Sequence, residues 1–135
     1  MKNAYQKYKN TSITSASKEK ILLMLYEGAI KFVKRALKAC EDKNIAERGL
    51  NIGRACDIVT ELNNTLDHNI GGDISKNLEQ LYTFITDQLT KANLTGDPNF
   101  LNNALKILET LNEAWVQAVE KIKKGEGPNP EASKP

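Results

Sequence analysis

Residues 96–122 read GDPNFLNNALKILETLNEAWVQAVEKI, and this stretch decides the fold class. It opens with the clearest helix start in the chain. Gly96 stops what precedes it, Asp97 can accept a bond from a free first-turn amide, and Pro98 takes the first helical position, where no amide is missed. From there Leu101, Ala104, Leu105, Leu108, Leu111, Trp115, Ala118, Val119 and Ile122 recur at three- and four-residue steps. They therefore share one face of a helix that runs to about Lys123.

The same period runs through three earlier segments. The first spans Lys18 to Cys40, with Ser17 as N-cap and a stripe of Leu22, Leu25, Tyr26, Ala29, Val33, Ala36, Leu37 and Cys40. The second spans Ile45 to Asp67. Asn44 is its cap, Glu47 stands three residues on as in a capping box, and the stripe is Ile45, Ile52, Ala55, Cys56, Val59, Leu62 and Leu66. Gly71 and Gly72 break it. Asp73 is read as the cap of a third helix from Ile74 to Asn93, with a stripe of Ile74, Leu78, Leu81, Tyr82, Ile85, Leu89 and Ala92. Helices of about 20 residues are about 30 Å long, and short connections favour antiparallel neighbours. The prediction is an all-α protein, an antiparallel up-down four-helix bundle over residues 17–124. Residues 1–16 form an N-terminal arm packed on its side. Residues 125–135, with two glycines and three prolines, form a disordered C-terminal tail.

A chain of 135 residues suits one domain. Its 19 basic and 17 acidic residues are too balanced for a nucleic-acid binder, which concentrates basic charge on one face. The longest apolar run, Ile21 to Tyr26, is far short of the ~18 residues that span a bilayer, and the N-terminus lacks the apolar middle of a signal peptide. A cytoplasmic protein without membrane insertion is expected.

Chemistry is sparse. Cys40 and Cys56 are too few for a zinc site and read as buried, reduced thiols. The single histidine, His68, lacks the Glu-x-x-His partners of a bundle dimetal site and reads as a solvated residue or C-terminal cap. Gly71-Gly72-Asp73 lacks the Lys-Ser/Thr pair of a phosphate loop, and Asp73 would repel an anion. Lys31, Lys34, Arg35 and Lys38 share one polar arc of the first helix, which reads as a solvated face rather than a partner patch. No catalytic residue, metal ligand or cofactor is expected, and the protein is not expected to be an enzyme.

The apolar arcs are wider than a minimal bundle needs. Ile21, Leu23, Ile30 and Phe32 flank the first stripe and widen it to roughly 200°. Ile58, Phe84, Phe100, Ile107 and Ala114 extend the others. A dimer partner, the arm or a bound peptide would cover such surface. The amides Asn51, Asn63, Asn77, Gln88 and Asn112 stand on or beside the stripes. Buried, they bond across the bundle or meet the backbone of a bound segment.

Five elements in register resemble the flagellin-specific export chaperone family. They are the arm Asn3-Ala4-Tyr5 with Tyr8; Met24-Leu25-Tyr26-Glu27-Gly28-Ala29-Ile30-Lys31-Phe32; Glu61-Leu62-Asn63-Asn64-Thr65-Leu66-Asp67 running into Gly71-Gly72; Asn77-Leu78 with Leu81-Tyr82; and Glu113-Ala114-Trp115. Lys18 replaces the family's usual proline and Glu27 its usual aspartate, neither of which alters the expected fold. The resemblance implies a chaperone that binds the disordered C-terminal segment of flagellin one-to-one, prevents premature polymerisation and hands it to the flagellar type III export gate. It implies that the arm covers one groove until the client arrives. Tyr5, Tyr8 and Ile13 are the expected arm residues. Asn51, Ile52, Ala55, Ile58, Leu62, Leu78, Phe84 and Gln88 are the expected groove residues, some of them shared with the core. Trp115 and Tyr26 are expected to pack inside. The free protein is expected to be monomeric, and a co-chaperone is a further candidate partner. The alternatives are a client-free structural or regulatory helical-bundle adaptor, dimerising through its wide arcs, and a small enzyme or metal-binding bundle.

Overall fold

The computed structural model describes residues 18–125, except for the side chains of residues 122 and 123. The predicted arm, the Ser17 cap and the residues of the tail beyond 125 lie outside the described residues. Within them the chain forms five helices and no strand: α1 Lys18–Glu41, α2 Ile45–Asn64, the single turn α3 His68–Gly71, α4 Asp73–Thr95 and α5 Pro98–Lys123.

The four long helices close a ring. α1 packs on α2 and α5, and α4 packs on the same two, while α3 touches α4. One end of the ring gathers the end of α1, the start of α2 and the end of α4. There the Cys40 thiol lies 3.9 Å from the Gly96 carbonyl, and Arg48 donates to the Asn93 carbonyl at 3.2 Å. Further along, the Lys34 ammonium lies 3.6 Å from a Glu109 carboxylate oxygen, and Tyr26, Tyr82 and Trp115 meet. Consecutive long helices therefore alternate in direction. The core contains the expected stripe residues, with Tyr26, Val33, Val59, Leu62, Ile85, Leu89, Leu101 and Leu108 fully enclosed.

Turn chemistry explains each corner. α1 ends in a Schellman motif: the Asn44 amide bonds the Ala39 carbonyl at 2.8 Å and the Lys43 amide bonds the Cys40 carbonyl at 3.1 Å. The left-handed position falls on Lys43 (φ 57°) rather than on a glycine. Asn44 then caps α2, accepting from the Glu47 amide at 3.1 Å. The Glu47 carboxylate does not return the bond of a capping box; it accepts from Asn51 at 3.3 Å. At the neighbouring corner Gly96 adopts φ 76°, and a side chain there would also meet the Arg48 guanidinium. Asp97 accepts from the Asn99 amide at 2.9 Å and opens α5, as its sequence indicates.

Two boundaries depart from expectation. α2 stops at Asn64, three residues early, because Asp67 caps α3 by accepting from the amides of Asn69 and Ile70 at 3.0 and 3.2 Å. A residue in that extended conformation cannot also continue a helix. Asp73 is not a cap but the first residue of α4; Gly72 holds the cap position with φ 53° and offers no side-chain bond. Ile45 and Ile74, expected in the core, are each 69 % exposed, since they occupy first turns that project past their neighbours.

Candidate functional site

Four helices in a ring create four seams, and the polar groups beside them divide into two kinds. At the centre, polar groups are paired. The Tyr26 and Tyr82 hydroxyls bond each other at 2.5 Å across the diagonal between α1 and α4, and the Trp115 indole N–H donates to Tyr26 at 3.3 Å. Burial pushes both phenols up from the ordinary tyrosine value. Tyr26 is thus enclosed as expected, whereas Trp115 is only half-buried at the core's edge.

At the seams, several amides are not fully paired. The side-chain oxygens of Asn51, Asn63 and Asn112 are occluded and accept no hydrogen bond from the described residues. Each borders a different groove. Asn51 lines a cleft of about 280 Å³ between α1 and α2, together with Arg35 and Arg54. Asn63 lines one of about 410 Å³ between α2 and α4, whose walls carry Thr60, Thr83, Thr86 and Thr90. Asn112 lines an open depression of about 850 Å³ between α1 and α5, floored by Ile30 and Val116. On the fourth seam the pairing is internal, with Asn103 donating to the Gln88 side-chain oxygen at 2.9 Å. A small opening of each of the other three seams would offer an acceptor to an incoming N–H group.

The eight expected groove residues do not lie together on one surface. Ile52, Ala55 and Leu62 are core, and Asn51 and Gln88 are buried beside it. Ile58 and Leu78 are half-buried, and Ile58 meets α1 where Gly28 leaves room: a β-carbon at 28 would stand 3.1 Å from the Ile58 methyl. Phe84 is 43 % exposed and sits one turn before Gln88, on the α5 side. Tyr5, Tyr8 and Ile13 lie outside the described residues. The threonine-lined seam was missed by reading for apolar stripes. Its signal was present in the three- and four-residue spacing of Thr83, Thr86 and Thr90, matched by Thr60 and Asn63 on α2.

Other side chains offer little chemistry. Cys40 and Cys56 are free and half-buried rather than enclosed, and burial raises the Cys56 thiol, with Asp57 adding to the effect. His68 opens α3 and lies 3.9 Å from Glu79. Among the described residues no group of three His, Cys, Asp or Glu could hold a metal ion. No helix among them is long and apolar enough to cross a membrane.

A ring of helices with amide-bearing seams does not name its own role, so the family decides. The model of the family described as flagellar protein FliS matches residues 1–122. The chain belongs to the FliS family. Among FliS relatives, the flagellar secretion chaperone FliS of Vibrio cholerae is 39 % identical over 121 residues, covering 87 % of this chain and 89 % of its own. That of Campylobacter jejuni is 35 % identical, covering 83 % and 88 %, and that of Bacillus subtilis is 30 % identical, covering 92 % of each. These FliS relatives are named chaperones, a class defined by holding another protein rather than by catalysis.

Proposed function

We propose that this chain is a cytoplasmic chaperone that binds the C-terminal segment of flagellin one-to-one, keeps it from polymerising and delivers it to the flagellar type III export gate. Membership of a family of flagellar secretion chaperones carries the reading. The seams support it: a client that wraps the ring meets an unpartnered amide oxygen at three of them. Main-chain N–H groups of an extended segment would pair with these oxygens, while half-buried Ile58 and Leu78 and exposed Phe84 would supply apolar contact. Ile52, Ala55 and Leu62 would hold the walls.

In this reading the ring is an antiparallel four-helix bundle, and residues 1–16 are an arm whose Tyr5, Tyr8 and Ile13 cover one seam in the free, monomeric protein. The arm hides apolar surface while the site is empty and lowers apparent affinity by the fraction of time it sits there.

Calorimetric titration with the C-terminal flagellin segment of the same organism tests the proposal. The expected result is a one-to-one isotherm with a strongly negative heat-capacity change, the mark of coupled folding on apolar surface. Absence of heat at micromolar concentrations, with the protein folded, would remove flagellin as the client. Ile58→Asp should then abolish binding with helical circular dichroism retained. Loss of both would make Ile58 a core residue.

A further inference from the structure

The basic cluster of α1 separates into two groups in space. Lys34 pairs with Glu109 at 3.6 Å, and Lys38 pairs with Asp42 at 3.3 Å and Glu41 at 3.6 Å. These two cations are neutralised within the fold. Lys31 and Arg35 are not. Together with Arg54 of α2 they converge on the half-buried ring of Phe32, at 5.3, 5.7 and 5.6 Å from its centroid. All three are exposed, and none has an ion-pair partner among the described residues.

Three like charges around one ring repel each other. The ring face offers each about 0.5–1 kcal/mol of attraction at an exposed site. A guanidinium lying over a ring still has N–H edges free to grip a carboxylate in two-pronged fashion. We propose that the Phe32–Arg35–Arg54 surface, with Lys31, is a docking site for an acidic segment of a partner protein, one that presents carboxylates around an apolar side chain. The occupant follows from charge complementarity. A nucleic acid would have to run on past the cluster, where Asp42 and Glu47 on one side and Glu27, Glu109 and Glu113 on the other oppose a phosphate backbone. Residues 1–17 carry three lysines and no acidic residue, so the chain's own N-terminal segment is electrostatically the wrong cover.

Arg35 and Arg54 also border the Asn51 cleft and Lys31 the Asn112 depression, so the test uses an acidic probe and not the flagellin segment, and its failure leaves the flagellin reading standing. The probe is an end-capped peptide of repeating Glu-Glu-Leu-Gly units, titrated into the isotopically labelled full chain at low salt and followed by amide chemical shifts. Shifts should centre on residues 28–36 and 50–58. The Arg35→Gln/Arg54→Gln pair should weaken binding at least about fivefold, while Lys34→Gln/Lys38→Gln, which removes the same charge, should change it less than about twofold. The counterpart peptide with glutamine for glutamate should not bind. Equal weakening by both variant pairs would mean bulk attraction and would overturn the proposal, as would the absence of shifts at millimolar peptide. A single-stranded oligonucleotide binding the same residues more tightly would replace the acidic protein with a nucleic acid. Tighter probe binding after removal of residues 126–135, which include Glu126 and Glu131, would make the chain's own tail the occupant. The probe should also bind the chain already loaded with the flagellin segment; displacement of the probe by that segment would make the cluster part of the client groove and overturn the proposal.

Discussion

The helical ring treats polar groups in opposite ways at its centre and at its seams. The Tyr26, Tyr82 and Trp115 groups lie across the middle and bond one another, tying α1, α4 and α5 at one height. The amide oxygens of Asn51, Asn63 and Asn112 lie under three grooves and accept nothing from the described residues. A buried group that is paired contributes to stability and specifies register; one that is unpaired costs free energy in the free protein. The difference separates the part of the molecule that its own bonds hold closed from the part that, in the proposed function, receives the client.

High pH attacks the centre hardest. Burial holds both phenols above their ordinary value of 10.0 in the fold. Below that pH neither state releases the protons, and this source leaves stability flat. Above it the unfolded chain ionises first, so stability falls as pH rises, by up to about 1.4 kcal/mol per pH unit for each phenol. Denaturant titrations at pH 8 and pH 11 should show the fall, and Tyr26→Phe/Tyr82→Phe should flatten it. An equal slope in the variant would place the loss elsewhere.

A single Tyr26→Phe comes next. It removes one hydroxyl and strands two groups, the Tyr82 hydroxyl and the Trp115 N–H, so destabilisation of about 1–3 kcal/mol is expected. Urea unfolding followed by Trp115 fluorescence measures it. A loss below about 0.5 kcal/mol would mean that the centre is held by packing alone and would erase the contrast with the seams.

The features legible in the sequence were those with a period or a strong cap. The stripes of α1 and α5 and the Gly96-Asp97-Pro98 corner were of this kind, because a 3.6-residue repeat and a proline at the first helical position have few other meanings. Asp67 was misread because Leu66, just before it, continues the apolar period of α2, whereas Asp67 caps α3, and local capping won. The groove residues were chosen from stripe flanks, and the flanks of α2 and α4 each face two neighbours, so residues close in register went to different seams. Lys43 gave no signal at all. A lysine in left-handed conformation is held there by the Schellman bonds around it, against a cost of about 1–2 kcal/mol that glycine avoids. Lys43→Gly should therefore stabilise the chain by about 0.5–1 kcal/mol, glycine's greater freedom when unfolded offsetting part of the relief. A rise of a few degrees in the thermal midpoint, with client binding unchanged, is the expected readout.

The smallest effect on stability belongs to Asn63→Leu, and it bears most directly on the contrast. The substitution keeps the shape and deletes an acceptor that has no partner among the described residues. Folding should change by no more than about 0.5 kcal/mol in either direction, because replacing an unsatisfied buried group with an apolar one of similar size is close to neutral. Affinity for the flagellin segment should fall about three- to tenfold, the loss of one net hydrogen bond to the client backbone. The two measurements must be read together. Unchanged affinity would take the threonine-lined seam out of the client's path. Destabilisation above about 1 kcal/mol would show that the Asn63 oxygen is already satisfied in the free protein, and the seams would then resemble the centre.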